Sequence, residues 1–407
     1  MRTTRCAARK IIWRTLAVGV SASIVLSGCG GSKDSGGSAD GPIVIGAALS
    51  LTGTLATSAA HSKRAYDLWV KERNADGGLL GRNVKLKIYD DQSDPATSTR
   101  LYERLITQDK VDLVVGPFGS AASAAAATAA ERNKMPMLLP LAASDAIFER
   151  NYKYVFQAIT PSTNYFTGAY QIAAGEGYKT AACIGRDYEA ARVICDSLKE
   201  TQAEEYGLKL VYAGYYPEGT TDYSSVVRKL QQKDPDLIVC TCYAPEMIEL
   251  TNTMDATKYS PPMLISNGAA QPEFIKGAGE AANGQFVSTQ YEPELKTPGN
   301  ETFVATYEKA YGEAPSYYDA FSWASLELLA KAVDSAKSLD LEKLRGEISS
   351  LKTDTIVGPF AVDGTGKQTA AQSFIAQIRD GQRKLVWPKE MSEEGVQLIL
   401  PMAKATS

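Results

Sequence analysis

The sequence of 407 residues contains a single histidine. Only His61 could therefore serve a Ser-His-Asp or Cys-His pair, and no nucleophile-elbow motif lies near it. P-loop, dinucleotide-binding and H-E-x-x-H motifs are also absent from the sequence. We therefore interpret His61 as a surface or cleft-edge residue and predict no catalytic residues, no cofactor and no metal site.

Long apolar runs and basic clusters are missing after residue 28. No later stretch approaches the roughly 20 apolar residues that a spanning helix needs, which excludes integral membrane transport by this chain alone. Removing residues 1–28 takes away five basic and no acidic residues, so the net charge changes from −4 to −9. An acidic body without clustered Lys and Arg argues against nucleic acid as a partner.

The first 28 residues have the pattern of an export signal. Five basic residues precede an apolar stretch at 15–26, and residues 26–29 are Leu-Ser-Gly-Cys. This segment resembles a bacterial lipobox, which implies cleavage before Cys29 and lipid modification of that cysteine. An ordinary secretory signal with a coincidental cysteine is the alternative. Residues 29–42 are rich in Gly and Ser and predict a flexible tether, so we expect a membrane-anchored, extracytoplasmic lipoprotein.

Few cysteines remain once the signal and Cys29 are set aside. The four are Cys183, Cys195, Cys240 and Cys242. An oxidising compartment permits disulfides, and four thiols allow three complete pairings among which the sequence does not choose. Buried free thiols are an equally good interpretation, whereas the spacing does not fit a zinc site.

From residue 43 onward, short β-branched runs alternate with longer amphipathic runs. This βαβα rhythm fills 43–160 and restarts over 161–289, where it includes a helix predicted at 188–206. Mainly helical patterns and short strands near 356–362, 372–379 and 384–387 follow. The pattern predicts an α/β fold with two doubly wound parallel sheets, each covered by helices on both faces.

The segment 114–121 carries the strongest functional signal. A buried strand ends there in a glycine-rich turn and opens an alanine-rich helix at Ser120. Backbone N–H groups and a hydroxyl at a helix N-terminus bind anions, and open α/β sheets bind ligands at this edge. The alternative is a tight turn in which Ser120 is only the N-cap. Ala142 and Ser144 follow another strand of the same half, while Tyr188 and Tyr243 follow strands of the second half.

Five segments together resemble the type I periplasmic binding proteins, in the Leu/Ile/Val-binding branch of ABC-transporter solute receptors. The segments are residues 48–53, 89–95, 116–120, 153–157 and 357–360. The resemblance implies two doubly wound parallel-sheet lobes joined by a three-stranded hinge, with one solute bound between lobes that close. The implied lobes are 43–160 plus 290–360 for the first and 161–289 plus 361–400 for the second.

The resemblance also implies which residues bind the solute. The family binds a ligand carboxylate with a hydroxyl and backbone amides, here at Gly119 and Ser120, and uses a carbonyl and a hydroxyl at the positions of Ala142 and Ser144. Aromatic cleft positions of the second lobe match Tyr188 and Tyr243. The implied ligand-binding residues are Gly119, Ser120, Ala142, Ser144, Tyr188, Tyr243 and Asn267.

Two positions depart from the family pattern. Asn267 stands where amino-acid binders carry an acidic residue for the ligand ammonium, and Ser58 replaces an aromatic residue of the first loop. A buried ammonium without a carboxylate is costly, so we expect a carboxylate or amide solute, such as an aromatic or short aliphatic acid. The alternative is a shifted alignment in which Glu246 or Glu273 supplies the charge.

By this resemblance, the chain is a monomeric, lipid-anchored receptor that delivers a small solute to ABC permease subunits. An alternative is a lipoprotein that presents its ligand to a membrane sensor. Neither function makes or breaks a bond, so we do not expect an enzyme.

Overall fold

The computed structural model describes residues 41–389, 392 and 395–402. The predicted export signal, the lipidated Cys29 and nearly all of the tether lie outside the described residues. Every helix within the described part of the chain is too short or too polar to cross a membrane.

The chain first builds a five-stranded sheet in which all strands are parallel, in the order β2-β1-β3-β4-β5. Its strands are β1 (Ile43–Leu49), β2 (Val84–Asp90), β3 (Leu113–Val115), β4 (Met137–Leu139) and β5 (Val155–Gln157). The connecting helices are α1 (Ala56–Ala75), α2 (Pro95–Thr107) and α3 (Ser120–Arg132). Helix α2 begins at Pro95, directly after the N-cap Asp94, whose side chain accepts a hydrogen bond of 2.6 Å from the Thr97 backbone N–H.

Strand β1 explains why helices cover both faces of this sheet. Ile45 and Ala47 belong to the core that includes α1, whereas Ala48 packs in a second core with Tyr102 of α2 and the alanines of α3. Successive residues of a strand point to opposite faces, so a strand that is apolar throughout needs cover on both sides.

The second part of the chain builds a seven-stranded sheet in the order β14-β13-β10-β9-β8-β6-β7. The elements from 167 to 289 are α4 (Thr167–Gly175), β6 (Thr180–Arg186), α5 (Glu189–Ser197), α6 (Ala203–Glu205), β7 (Lys209–Tyr216), α7 (Ser224–Lys233), β8 (Leu237–Thr241), α8 (Ala244–Ala256), β9 (Met263–Ser266), α9 (Pro272–Ala278) and β10 (Phe286–Thr289). Strands β6 to β10 pair in parallel.

The chain then returns to the first sheet. The returning elements are α10 (Asn300–Tyr311), α11 (Tyr317–Ala336), α12 (Leu341–Ser350) and the two-stranded sheet of β11 (Thr353–Thr355) and β12 (Gly358–Phe360). Helix α11 packs on α1, where Ser322 Oγ donates a hydrogen bond of 2.9 Å to Ser62 Oγ. Strands β13 (Phe374–Arg379) and β14 (Gln382–Trp387) then add an antiparallel edge to the second sheet, which is therefore mixed rather than wholly parallel.

This course confirms the two-lobed α/β fold and takes the chain between the lobes three times, after β5, after β10 and after β12. The first and third crossings are hydrogen-bonded to each other, since Gln368 N–H donates to Gln157 Oε1 at 3.2 Å and Thr160 Oγ1 donates to the Gln372 carbonyl at 3.1 Å. The residue at which each lobe begins and ends stays a prediction.

Local details differ from the sequence prediction in the second lobe. The helix predicted at 188–206 ends at Ser197, and a π-helical turn at Leu198–Gln202 follows it. The structure also settles the cysteines: Cys183 of β6 and Cys195 of α5 form a disulfide, while Cys240 and Cys242 are free and buried. The structure therefore has one disulfide and two free thiols, which is neither a complete pairing of the four cysteines nor four free thiols.

Candidate functional site

The turn between β3 and α3 faces the second lobe. Gly119 has a φ of +83°, a backbone conformation that a side chain disfavours, and this turn lets α3 begin at Ser120. A Cβ atom placed on Gly119 would lie 3.6 Å from the Tyr243 hydroxyl, so the two lobes nearly touch at this point. The first backbone N–H groups of a helix have no partner within the helix, which makes this turn a donor of hydrogen bonds toward the cleft.

Ser120 is 5% exposed and joins two loops of the first lobe. Its Oγ accepts a hydrogen bond of 3.2 Å from the Ser144 backbone N–H. Among the described residues we find no acceptor for the hydrogen of the Ser120 hydroxyl itself. This hydrogen is available to an acceptor atom in the cleft.

Ala142 and Ser144 lie beside the cleft rather than in its lining. The Ala142 carbonyl accepts a hydrogen bond of 3.0 Å from Gln157 Nε2, which occupies one of its two acceptor positions. The Ser144 hydroxyl is buried without a partner in the described structure. Ala143, the residue between them, reaches the cavity instead.

The second lobe closes the cleft with tyrosine rings. Tyr188 follows β6 and Tyr243 follows β8, and their rings stack with centroids 5.6 Å apart. Asn267 follows β9, is 5% exposed, and its Oδ1 is buried without a hydrogen-bond partner. Because the C-terminal ends of neighbouring parallel strands meet at one sheet edge, these three residues converge on the same space.

A small cavity of about 40 Å³, here called the inner cavity, lies between these groups. It is lined by Phe118, Gly119, Ser120, Leu141, Ala143, Ile159, Ser162, Tyr165, Tyr188, Ile194, Tyr243, Asn267, Tyr317 and Tyr318. None of these lining side chains is an acid, a base or a histidine, so the lining is uncharged at neutral pH. Burial raises the pKa of Tyr165, Tyr188 and Tyr318 further above the usual tyrosine value. The inner cavity is therefore aromatic and uncharged.

The structure brings five of the seven predicted residues together at the inner cavity and leaves Ala142 and Ser144 next to it. Sequence reasoning missed the tyrosines of α11, Tyr317 and Tyr318, which reach the cavity from about 130 residues further along the chain than Tyr188. Their only signal in the sequence is the mainly helical pattern that follows residue 289, which says nothing about what those helices face.

A second, larger space of about 400 Å³, here called the outer chamber, lies on the other side of Tyr243. It is lined by Thr54, Leu55, Thr57, Ser58, Arg186, Glu218, Gly219, Thr220, Thr221, Tyr243, Pro245, Glu246, Ile248 and Glu249. The Arg186 guanidinium lies 4.6 Å from the Tyr243 ring centroid, and its nitrogens lie 3.5 Å from Glu218 and 3.6 Å from Glu246. The outer chamber is therefore charged, with Ser58 at its first-lobe wall.

The two acidic residues considered as partners for a ligand ammonium lie outside the inner cavity. Glu246 Oε2 accepts the Tyr243 backbone N–H at 2.9 Å, and burial raises the pKa of this carboxyl. Glu273 contacts His61 Nε2 at 3.1 Å. His61 is only 3% exposed and contacts both lobes. Of the two positions that we considered for it, the surface is therefore wrong, whereas the cleft edge agrees with its place between the lobes.

The chain is similar to known proteins over most of its length. A family model described as periplasmic binding protein matches residues 42–383. The chain is 26% identical over 374 residues to Leu/Ile/Val-binding protein homolog 7 of Brucella abortus (strain 2308), an alignment that covers 86% of this chain and 92% of the relative.

Solved structures share the fold. The isoleucine complex of LivJ, a branched-chain amino acid transporter substrate-binding protein of Streptococcus pneumoniae, has a TM-score of 0.76 and 22% identity, covering 88% of this chain and all of that one. A solute-binding protein of an ABC transporter from R. palustris, in complex with benzoate, has a TM-score of 0.77 and 21% identity, covering 85% of this chain and 95% of that one. With the family model spanning both lobes and the cleft between them, the chain belongs to the periplasmic binding protein family.

Proposed function

We propose that this protein is the solute receptor of an ABC importer and that it binds a small carboxylate or amide solute in the inner cavity. The single observation that carries the proposal is the uncharged cavity that meets a helix N-terminus at Gly119 and Ser120. Two solved structures of the same fold are complexes with isoleucine and with benzoate, and both of these ligands carry a carboxylate.

The donors of the first lobe suit a carboxylate or amide oxygen. The backbone N–H groups at the start of α3 and the Ser120 hydroxyl all offer hydrogens, and the helix dipole adds partial positive charge at the same point. Such donors stabilise an oxyanion without a charged side chain. Asn267 supplies an unpartnered acceptor or, through its amide N–H, a donor on the opposite wall.

The absence of an acid in the inner cavity argues against an α-amino acid. An ammonium group enclosed there would have no carboxylate partner among the lining residues, and burying an unpaired charge is expensive. We therefore favour a solute without an ammonium group over leucine, isoleucine or valine.

The size of the inner cavity limits the range of possible solutes further. Its volume of about 40 Å³ is well below the roughly 150 Å³ of an engineered cavity that binds benzene. In this conformation the inner cavity favours a short aliphatic acid or amide. An aromatic acid requires Tyr243 or the lobes to move outward.

Binding would work by closure of the lobes, about 43–160 plus 290–360 and 161–289 plus 361–400, around the solute. The solute stabilises the closed state to the extent that it binds this state more tightly than the open one. Lipid attachment at Cys29 would keep the closed receptor beside its permease subunits. No chemical step is involved.

A thermal-shift screen of residues 36–407 against short aliphatic acids, amides, aromatic acids and branched-chain amino acids tests this function. A solute that binds only the folded protein stabilises it by about 2.7 kcal/mol at a hundredfold excess over Kd, so its Tm rises. We expect the shift with short acids or amides. A shift with leucine, isoleucine or valine instead would show that the solute carries an ammonium group and that our assignment of Asn267 is wrong.

A further inference from the structure

The only histidine of the chain lies where the two lobes meet. His61 is on α1 of the first lobe, and its Nδ1 lies 2.8 Å from Asp319 Oδ2 on α11 of the same lobe. On the other side of the ring, Nε2 lies 3.1 Å from Glu273 Oε1 on α9 of the second lobe. The imidazole therefore bridges a carboxylate from each lobe.

The partners of the two ring nitrogens bear on the protonation state of this ring. A neutral imidazole carries one N–H and one acceptor nitrogen, so one of its two contacts would bring a lone pair against a carboxylate oxygen. Asp319 Oδ2 also accepts hydrogen bonds from the Ser316 backbone N–H at 2.8 Å and from Ser316 Oγ at 2.7 Å. The imidazolium donates to both carboxylates. The neutral ring with its proton on Nε2 donates to Glu273 and accepts at Nδ1 from Arg64 Nη2 at 3.0 Å or from Ser316 Oγ at 3.3 Å. In both states Nε2–H donates to Glu273 across the lobe boundary.

The two carboxylates favour the charged form of His61. Burial alone would lower the pKa of His61, but Asp319 and Glu273 outweigh this effect and raise the pKa to about 9. Arg64, also on α1, lies 3.0 Å from Nδ1, and it is engaged by Glu313 at 2.6 Å. The Tyr307 hydroxyl from α10 donates to Asp319 Oδ1 at 2.5 Å, and the Tyr318 ring lies 5.8 Å from the imidazole in an edge-to-face arrangement.

A second ion pair crosses the same lobe boundary. Lys276 of α9 lies 3.4 Å from Glu313, next to the start of α11. Its side chain is about 71% exposed, so this pair is worth little by itself. The His61–Glu273 contact is different because the His61 side chain is 4% exposed and the Glu273 side chain 37%.

We propose that His61 and Glu273 form an interlobe latch that stabilises the closed receptor and thereby lengthens the residence time of the bound solute. Both are positioning residues, since neither lines the inner cavity. The inference rests on the proposed function in one respect, namely that the lobes open to release a solute.

Opening of the lobes separates Glu273 from Nε2, while Asp319 stays with His61 because both belong to the first lobe. The pKa of His61 is therefore higher in the closed state than in the open state. By linkage, the proton's contribution to closure is complete below the open-state pKa and is lost as the pH rises through about 9.

The first test measures solute dissociation by stopped flow at pH 7 in the wild type and in Glu273→Gln. We expect the variant to release its solute about three- to tenfold faster, with little change in the association rate, because the latch acts only after closure. Glu273→Asp keeps the charge and should restore part of the effect. Glu280→Gln, an exposed change on the same lobe, is the matched control and should behave as the wild type.

The second test separates the latch from a merely structural role of Glu273. His61 gives the only histidine imidazole signals of a tag-free protein, so its pKa can be read by NMR without assignment. In the solute-saturated protein we expect a pKa near 9 that falls in Glu273→Gln, and a wild-type dissociation rate that increases with pH over the same interval. Equal pKa values in the two solute-saturated proteins, or equal dissociation rates, would overturn the latch.

Failure of the proposed function looks different from failure of the latch. If no solute class raises the Tm, the proposed function fails. If a solute raises the Tm of both proteins and the dissociation rates and His61 pKa values of the two solute-saturated proteins are equal, the receptor function stands and the latch is overturned.

Discussion

The inner cavity and the outer chamber share the ring of Tyr243 as a wall, yet they differ in size and charge. The inner cavity, about 40 Å³, has no charged lining side chain, whereas the outer chamber, about 400 Å³, contains Arg186 with Glu218, Glu246 and Glu249. The charged side chains that line the two spaces therefore all lie on the outer side of the Tyr243 ring. Hydrogen-bond donors of the backbone and hydroxyl groups remain inside.

This separation has an energetic reason. A charged side chain enclosed in the inner cavity would lose its hydration and would need a partner of opposite charge. In the outer chamber, Arg186 has partial neutralisation by two glutamates and a face-on contact with Tyr243. Selectivity for uncharged or singly anionic solutes can then come from the inner cavity alone.

The largest expected effect comes from placing a charge in the inner cavity. Asn267→Asp should weaken binding of a carboxylate solute at least about a hundredfold, because the new carboxylate is buried without a cation and faces the anion. Isothermal titration calorimetry measures this change. Asn283→Asp, in a surface turn of the same lobe, controls for the added charge. Tighter binding by Asn267→Asp would require a cationic group on the solute. Our conclusion that the inner cavity takes a solute without an ammonium group would then be wrong.

A smaller effect is expected from removing one donor of the inner cavity. Ser120→Ala should weaken solute binding by about 1–3 kcal/mol, because a buried hydrogen bond to the solute is lost. Ser123→Ala removes a buried hydroxyl one turn along the same helix, where it bonds the Pro117 carbonyl at 3.4 Å, and should leave the affinity unchanged. Unchanged affinity in Ser120→Ala itself would remove this hydroxyl from the solute site.

The smallest effect is expected in the outer chamber. Glu218→Gln should change the solute affinity by less than about threefold, because this carboxylate is about half exposed and its pair with Arg186 is long. The same titration measures it. A loss larger than that of Ser120→Ala would mean that the solute occupies the outer chamber, and the roles that we give to the two spaces would have to be exchanged.

Much of the fold was predictable because its signals are local. The alternation of strands and helices, the Asp94 cap and the glycine turn before Ser120 all depend on residues within a few positions of each other. The antiparallel edge of the second sheet was not predictable, since short strands near the C-terminus do not indicate which sheet they join or in which direction.

The site was predictable only where it follows strand ends. Gly119, Ser120, Tyr188, Tyr243 and Asn267 converge because parallel strands place their C-terminal ends on one edge. Tyr317 and Tyr318 arrive through a helix that packs on α1, and the burial of His61 depends on Glu273, 212 residues away. Contacts of this kind are set by tertiary packing rather than by any local pattern.

The three crossings of the chain also govern how the molecule assembles. Ser62 and Ser322 are hydrogen-bonded although 260 residues separate them, so the core of the first lobe forms only after most of the chain is available. Contacts between such distant residues carry a large loop-closure cost and make folding slow compared with that of a protein built from local contacts. Neither lobe is a contiguous segment, so expressing either half of the sequence alone will not yield a lobe that folds.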